Sequence, residues 1–280
     1  LNAARNGDAA ICTLLIRHGA DVNLQKPRDS APLIYAAMSG DLATCKALVA
    51  HNAKLDIVDA NGNSPLSTAS SFGHLHIVEY LLQQGARPGQ EYGAPLIAAA
   101  ALGNTDIMRV LLRHGAEINQ RKQFGAFQQT ALMAACARGS IEAVKLLLEH
   151  GADPNLSREN GKSALLLSSS AKTVELLIRY GADLHSNDQG FTALTRAFKK
   201  GLLDIVPVLL RHQVPADPLA LGLKPAATPL LAWDFQSASI SQHSAFQLLD
   251  ILQRHGMPLH HVNANGDDAL MLAVKAGNVA

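Results

Sequence analysis

Apolar residues recur along the chain in two kinds of short segment that alternate with each other. The first kind opens with a small residue, then Pro or Ala, then Leu, as at Ser64 and Thr130. The second kind is Leu-rich and places apolar residues at helical spacing, for example Ile77, Val78, Leu81 and Leu82. Each pattern predicts a helix of about 10 residues, which is too short to be stable alone. We therefore expect pairs of helices that stack on their neighbours.

The residues at the segment ends are typical of helix boundaries. Ser64 and Thr130 can each accept a main-chain N–H at a helix start. Prolines suit the first helical position, where no N–H is needed, and follow as Pro32, Pro65, Pro95 and Pro229. Glycines that can adopt a left-handed conformation are expected to end the first helix, and they stand at Gly40, Gly73, Gly103 and Gly139.

The two segments together repeat with a period of 29 to 40 residues, measured between successive first-helix starts from Ala31 to Asp268. The Leu-rich segment ends each time in Gly-Ala-Asp or a variant of it. These endings begin at Gly19, Gly85, Gly115, Gly151 and Gly181, with weaker copies at Asn52, Gln213 and Gly256. A period of this length is the signature of a repeat array.

Residues 59–87 read DANGNSPLSTASSFGHLHIVEYLLQQGAR, which resembles the ankyrin repeat (DxxGxTPLHxAAxxGHxxIVxxLLxxGAxxN) almost throughout. The resemblance implies an all-α ankyrin-repeat solenoid of stacked helix-turn-helix units with β-turn or hairpin fingers. It extends over residues 1–280 as a single domain. The expected divisions are a partial repeat at 1–24, whole repeats starting near residues 25, 58, 91, 121, 157, 186 and 218, and a partial repeat at 262–280. We expect both ends to be truncated, because neither carries a polar capping repeat.

Several repeats depart from the family pattern. The sixth has Ser168 to Ser170 where the inter-helix turn should be and is three residues short, whereas the eighth has seven extra residues around 233–244. The finger at 120–129 is three residues longer than usual. The His of the TPLH motif is replaced throughout, for example by Ile34 and Ser67, so we expect packing to replace its hydrogen bonds to the turn.

Charge and composition exclude several classes of function. The 24 basic and 23 acidic residues give a net charge of +1, which predicts no nucleic-acid or membrane-surface binding. Apolar runs such as 94–102 are far shorter than the ~20 residues that span a bilayer. The three cysteines, Cys12, Cys45 and Cys136, are far apart and lack CxxC spacing. They predict buried free thiols in a reducing compartment such as the cytoplasm.

The sequence contains no pattern that indicates catalysis, a cofactor or a metal site, so we expect a protein that is not an enzyme. Five of the twelve histidines precede the loop glycine or its substitute, where they suit the negative end of a helix dipole: His18, His114, His150, His212 and His255. Asn23, Asn119 and Asn155 match the turn asparagine of the family, for which a turn hydrogen bond is expected. In some eukaryotic members this residue is hydroxylated.

The family resemblance implies a binding function: fingers and first helices form a concave surface that contacts another protein. The candidate residues on this surface are Met38, Phe72, Leu102, Phe124, Phe127, Arg138, Lys199, Lys200 and Phe235. Among them, Phe72 and Leu102 precede Arg138 and Lys200, so the surface is expected to change from apolar to basic from the third repeat to the seventh. Such a surface suits a partner with an apolar anchor and acidic residues. Phe72 and Phe127 could instead pack within their own repeats. The chain could also be the substrate-recognition arm of a larger enzyme or a self-associating array, although we expect a monomer.

Overall fold

Pairs of short helices follow one another along the chain, as the periodic pattern predicts. In chain order the pairs are α1 (Asn2–Arg5) with α2 (Ala9–Arg17), α3 (Pro32–Ser39) with α4 (Leu42–Ala50), α5 (Pro65–Phe72) with α6 (Leu75–Gln83), α7 (Pro95–Leu102) with α8 (Thr105–Arg113), α9 (Ala131–Arg138) with α10 (Ile141–Glu149), α11 (Ala164–Leu167) with α12 (Ala171–Arg179), and α13 (Ala193–Lys200) with α14 (Val206–Arg211).

The computed structural model describes residues 1–25, 29–89, 94–121, 128–158, 161–188 and 191–212, together with Asp250 and Arg254. The chain divides into two compact units, the first ending at Asp153 and the second beginning at Pro154. In the first unit α1, α3, α5, α7 and α9 pack side by side as one row, and α2, α4, α6, α8 and α10 pack as another. The predicted all-α fold of stacked helix pairs is therefore confirmed within this unit.

The first helices begin at the residues that the sequence predicts. Thr130 accepts the N–H of Met133, and Ser64 accepts the N–H of Ser67 at 3.2 Å. The Ser67 hydroxyl in turn accepts the N–H of Ser64 at 2.9 Å, which completes a capping box. The expectation that packing replaces the motif histidine is thus wrong at Ser67, whose hydroxyl can reach back to the turn. It holds at Ile34, which is fully buried.

The inter-helix turn at Gly40 requires glycine for two reasons. Gly40 has φ +81°, a left-handed conformation that favours a residue without a side chain. A Cβ on Gly40 would also lie 2.7 Å from the ring of His74, which begins the second helix of the next repeat. The predicted glycine turns are confirmed, and the Gly40 turn is also a close contact between consecutive repeats.

The apolar stripe of the second helix α6 is buried, and α4 of the preceding repeat packs against this helix. Ile77 and Leu81 of α6 are 0% exposed, whereas the residues at the same positions of α2, Ile11 and Leu15, are both 47% exposed. Within the described chain α2 packs against α1 and α4 but has no helix on its other side. The comparison shows that contact between repeats, rather than the helix pair itself, removes this stripe from water.

The second unit differs from the first in its first helix. Because three residues are missing before α12, α11 has only four residues and ends at Ser168 in extended conformation (ψ 140°), as the short sixth repeat predicts. The fingers here form narrow hairpins: Ser157 pairs with Ser163, and β1 (Asn187–Asp188) pairs antiparallel with β2 (Phe191–Thr192). These hairpins confirm the predicted fingers. The repeat boundaries themselves stay predictions.

Candidate functional site

The first helices of the first unit present a line of exposed side chains at their carboxyl ends. Met38, Phe72 and Leu102 are 36%, 53% and 42% exposed, although most large apolar side chains of the unit are buried. Arg138 is also exposed and ends α9 directly before the turn glycine, as Phe72 and Leu102 end their helices, whereas Met38 stands one position earlier in α3. Because α3, α5, α7 and α9 pack in that order, these four residues stand on successive neighbours. We call Met38, Phe72, Leu102 and Arg138 the exposed row.

Leu102 lies beside the turn glycine that follows Phe72. A Leu102 methyl carbon comes within 3.9 Å of the position of a Cβ on Gly73, the residue that follows Phe72. The Phe72 ring stacks on the ring of His74 with the centroids 6.2 Å apart and the planes 11° apart. Phe72 thus contacts its own repeat through one face of the ring while about half of the side chain remains open to solvent.

Each unit exposes at least one of the basic residues that the sequence predicts for the binding surface. Arg138 is exposed in the first unit, and Lys200 is exposed in the second. Desolvation by neighbouring atoms lowers the pKa of Lys200, and the positive charges of Arg196 and Lys162 lower it further. Lys200 is therefore close enough to Arg196 and Lys162 in the second unit to sense their charges.

Four of the predicted surface residues have no described side chain. Phe124, Phe127 and Phe235 lie outside the described residues, and only the backbone of Lys199 is described, within α13. Their place on the surface stays a prediction.

The histidines at the ends of the second helices have a structural role. His18, His114 and His150 are helix C-caps, and the Nδ1 atom of each lies 2.8–2.9 Å from the carbonyl oxygen four residues earlier. A carbonyl can only accept, so Nδ1 carries the proton and donates. His51, which the sequence analysis did not single out, makes the same bond to Ala47 at 2.8 Å. The predicted C-terminal role is confirmed for the three histidines, with a direct hydrogen bond in addition to the dipole.

The turn asparagines bind the following repeat. The Asn23 Oδ1 accepts the N–H of Lys54 at 2.8 Å, and its Nδ2 donates to the carbonyl of Asn52 at 3.2 Å. Asn155 binds its following loop in the same way, and Asn119 accepts the N–H of Asp153 at 2.9 Å. The expected turn hydrogen bonds are present, and they join two repeats rather than closing one turn.

Two further histidines join repeats in a way that the sequence analysis missed. The Nε2 atoms of His74 and His76 lie 3.2 Å from the carbonyl oxygens of Met38 and Gly40. His74 thereby fixes the loop beside Met38 and supports the ring of Phe72. The sequence signal was the Gly-His pair of the family motif, which stands at Gly73 and His74.

Within the described ranges, no three His, Cys, Asp or Glu side chains are arranged as a metal site. No helix of that part of the chain is long and apolar enough to cross a membrane. Cys12, Cys45 and Cys136 are buried and carry no disulfide, as predicted.

The comparisons with known proteins agree with this architecture. The family model for ankyrin repeats matches three times, at residues 1–92, 88–158 and 151–220. The crystal structure of the human ASB11 ankyrin repeat domain superposes with a TM-score of 0.63 and 28% sequence identity, over 76% of this chain and 97% of that chain. No curated protein sequence matches the chain. Because the family model covers well over half of its residues, the chain belongs to the ankyrin-repeat family.

Proposed function

We propose that the chain binds another protein through the exposed row, as a scaffold, adaptor or targeting segment. Ankyrin repeats are generally protein–protein interaction modules and typically lack catalytic activity. The observation that supports this surface is the exposure of Phe72 and Leu102 on neighbouring helices of an otherwise well-buried layer. Contiguous exposed apolar side chains with a polar rim mark interaction sites.

The chemistry of the row suggests the kind of partner. Phe72 and Leu102 offer an apolar surface on which a partner's aliphatic or aromatic side chain can be buried. Arg138 lies at the end of α9, which is separated from the helix of Phe72 by α7 in the row of first helices. It offers a cation that can pair with a carboxylate. Aromatic residues and arginine supply most of the free energy in many interfaces. We therefore propose a partner that has an apolar anchor next to an acidic residue, and a reducing compartment for the complex because the cysteines form no disulfide.

Affinity capture with the whole chain, followed by a binding measurement with the purified partner, tests the proposal. The triple variant Phe72→Ala, Leu102→Ala, Arg138→Ala should bind more weakly. Its dissociation constant should rise by about 100-fold or more, which is typical for the loss of several central contacts. Tyr180→Ala is the matched control, since Tyr180 is a similarly exposed aromatic residue (41%) at the end of α12. Unchanged affinity in a triple variant that keeps its helical circular dichroism would contradict the proposed surface.

A further inference from the structure

Two loops that follow second helices are held by the side-chain amide of the preceding repeat. Asn23 bridges the carbonyl of Asn52 and the N–H of Lys54, two residues later. Asn155 bridges the carbonyl of Gly181 and the N–H of Asp183 at 3.0 and 2.6 Å. In both loops one primary carboxamide therefore satisfies a carbonyl at one position and an N–H at the second position after it.

The loop after α6 offers the same pair of main-chain groups without the amide. The corresponding groups are the carbonyl of Gly85 and the N–H of Arg87, and neither is hydrogen-bonded to another residue of the described chain. The residue at the asparagine position is Asp56, which is exposed and makes no hydrogen bond to this loop. A carboxylate has no N–H to donate and is repelled by the Gly85 carbonyl oxygen, so Asp56 cannot replace the amide.

An open cleft lies at this position. Its volume is about 290 Å³, and its lining is Leu55, Asp56, Ser64, Leu66, Gly85, Ala86 and Arg87. Asp56, Gly85 and Arg87, the residues that carry the carboxylate and the two free main-chain groups, all belong to this lining. The leucines add apolar surface against which the methylene groups of a side chain could pack. We call this space the amide cleft.

We propose that the amide cleft recognises the primary carboxamide of a glutamine or asparagine side chain on a partner protein. The carbonyl oxygen of the amide accepts from the Arg87 N–H. Its NH₂ group donates one hydrogen bond to the Gly85 carbonyl and the other to the Asp56 carboxylate. This assignment reproduces the internal bonds of Asn23 and Asn155 and gives Asp56 an acceptor role. It does not depend on the exposed row, because the cleft adjoins the start of α5 and the row adjoins its end.

A titration of the ¹⁵N-labelled whole chain with N-acetyl-glutamine N-methylamide tests the proposal by NMR. The main-chain amide signal of Arg87 should shift in a saturable way. The Lys54 signal should not move, because Asn23 already occupies its loop. The matched probe N-acetyl-glutamate N-methylamide should shift neither, since it lacks the NH₂ group and is repelled by Asp56. An Arg87 amide signal that does not shift, or that shifts equally with the two probes, would overturn the proposal.

Two reciprocal variants complete the test. Asp56→Asn should fill the cleft from within, abolish the Arg87 response and slow hydrogen exchange at Arg87 by a factor of about 5, as expected for one added hydrogen bond. Asn23→Asp should open the equivalent loop, so that Lys54 begins to respond to the glutamine probe. If Arg87 still responds in Asp56→Asn, or if Lys54 stays silent in a folded Asn23→Asp chain, the carboxamide is not what the loop recognises.

Discussion

Asn23 accepts the main-chain N–H of Lys54 at 2.8 Å, although 31 positions separate the two residues in the sequence. The bond joins the loop of one repeat to the loop of the next. Apolar side chains supply most of the contact between repeats, but they do not fix which main-chain groups face each other. Directional hydrogen bonds of this kind hold the register between neighbouring layers.

Removing the side-chain amide of Asn23 should therefore destabilise the packing of neighbouring repeats. Asn23→Ala removes the bonds to Asn52 and Lys54, and we expect the free energy of unfolding to fall by about 1–2 kcal/mol in urea denaturation. Asn61→Ala is the control, because its side chain makes no hydrogen bond in the described chain. A loss that is equal for the two variants would show that the bridge contributes nothing.

The hydroxyl of Thr44 is buried within α4 and should destabilise the fold. Thr44 is 0% exposed, and its Oγ1 has no hydrogen-bond partner in the described chain. Ile77 and Ile107 occupy the same position in later repeats. Thr44→Val keeps the shape and removes the unpaired group, so the free energy of unfolding should rise by about 1 kcal/mol. Thr13→Val, which removes a hydroxyl that donates to Ala9, should bring no gain. A Thr44→Val protein that is less stable than wild type would refute this reading.

The buried thiol of Cys45 makes the free energy of unfolding depend on pH in the alkaline range. Burial, aided by Asp41, raises the pKa of Cys45 from 9.0 to about 12. The folded state therefore holds the proton more tightly than the unfolded state. The thiol contributes its full stability below pH 9.0 and loses it as the pH rises toward 12.

Comparing the wild type with Cys45→Val isolates this thiol from other groups that titrate at high pH. Valine occupies the same position at Val78 and Val144, so the variant should fold. Above pH 9.0 the unfolding free energy of the wild type should fall more steeply than that of the variant, by at most about 1.4 kcal/mol per pH unit. Denaturant titrations at several pH values, under a reductant, measure this difference. Parallel curves would contradict it.

Tyr35 links two repeats through its hydroxyl. The hydroxyl accepts from Arg5 Nη2 at 2.6 Å and donates to the Asp29 carboxylate, and the Arg5 guanidinium lies 4.3 Å from the ring centre. Tyr35→Phe should lower the unfolding free energy by about 1–2 kcal/mol, because both partners are charged and the tyrosine is buried. Tyr80→Phe, whose hydroxyl makes no hydrogen bond in the described chain, should be close to neutral. Equal stability losses in the two variants would contradict the role of the Tyr35 hydroxyl.

The features that the sequence predicts well are local ones. Gly40 marks a left-handed turn and Ser64 a helix start by their own chemistry, whichever repeat follows. The caps of the second helices were missed although they had a local signal, an Asp or Asn directly after the turn glycine, as at Asp41. The bonds of His74 and Asn23 could not be predicted from one repeat alone, because they depend on the register between two.

The exposed side chains of the binding surface could be predicted only in part, because their arrangement also depends on the register between repeats. The position before the turn glycine identified Phe72 and Leu102, but their shared surface depends on how α5 packs on α7. The amide cleft had no obvious sequence signal. An aspartate in place of the turn asparagine is a small change, and its effect appears only when the unbonded groups of Gly85 and Arg87 are seen beside it.

Photo-crosslinking from position 72 tests most directly whether a partner docks on the exposed row. A photo-reactive phenylalanine analogue in place of Phe72 should form a covalent product with the captured partner. The same analogue in place of Tyr180 should not, since that residue lies at the end of a second helix. A product at position 72 alone is the predicted result. A product at position 180 without one at position 72 would contradict binding through the exposed row.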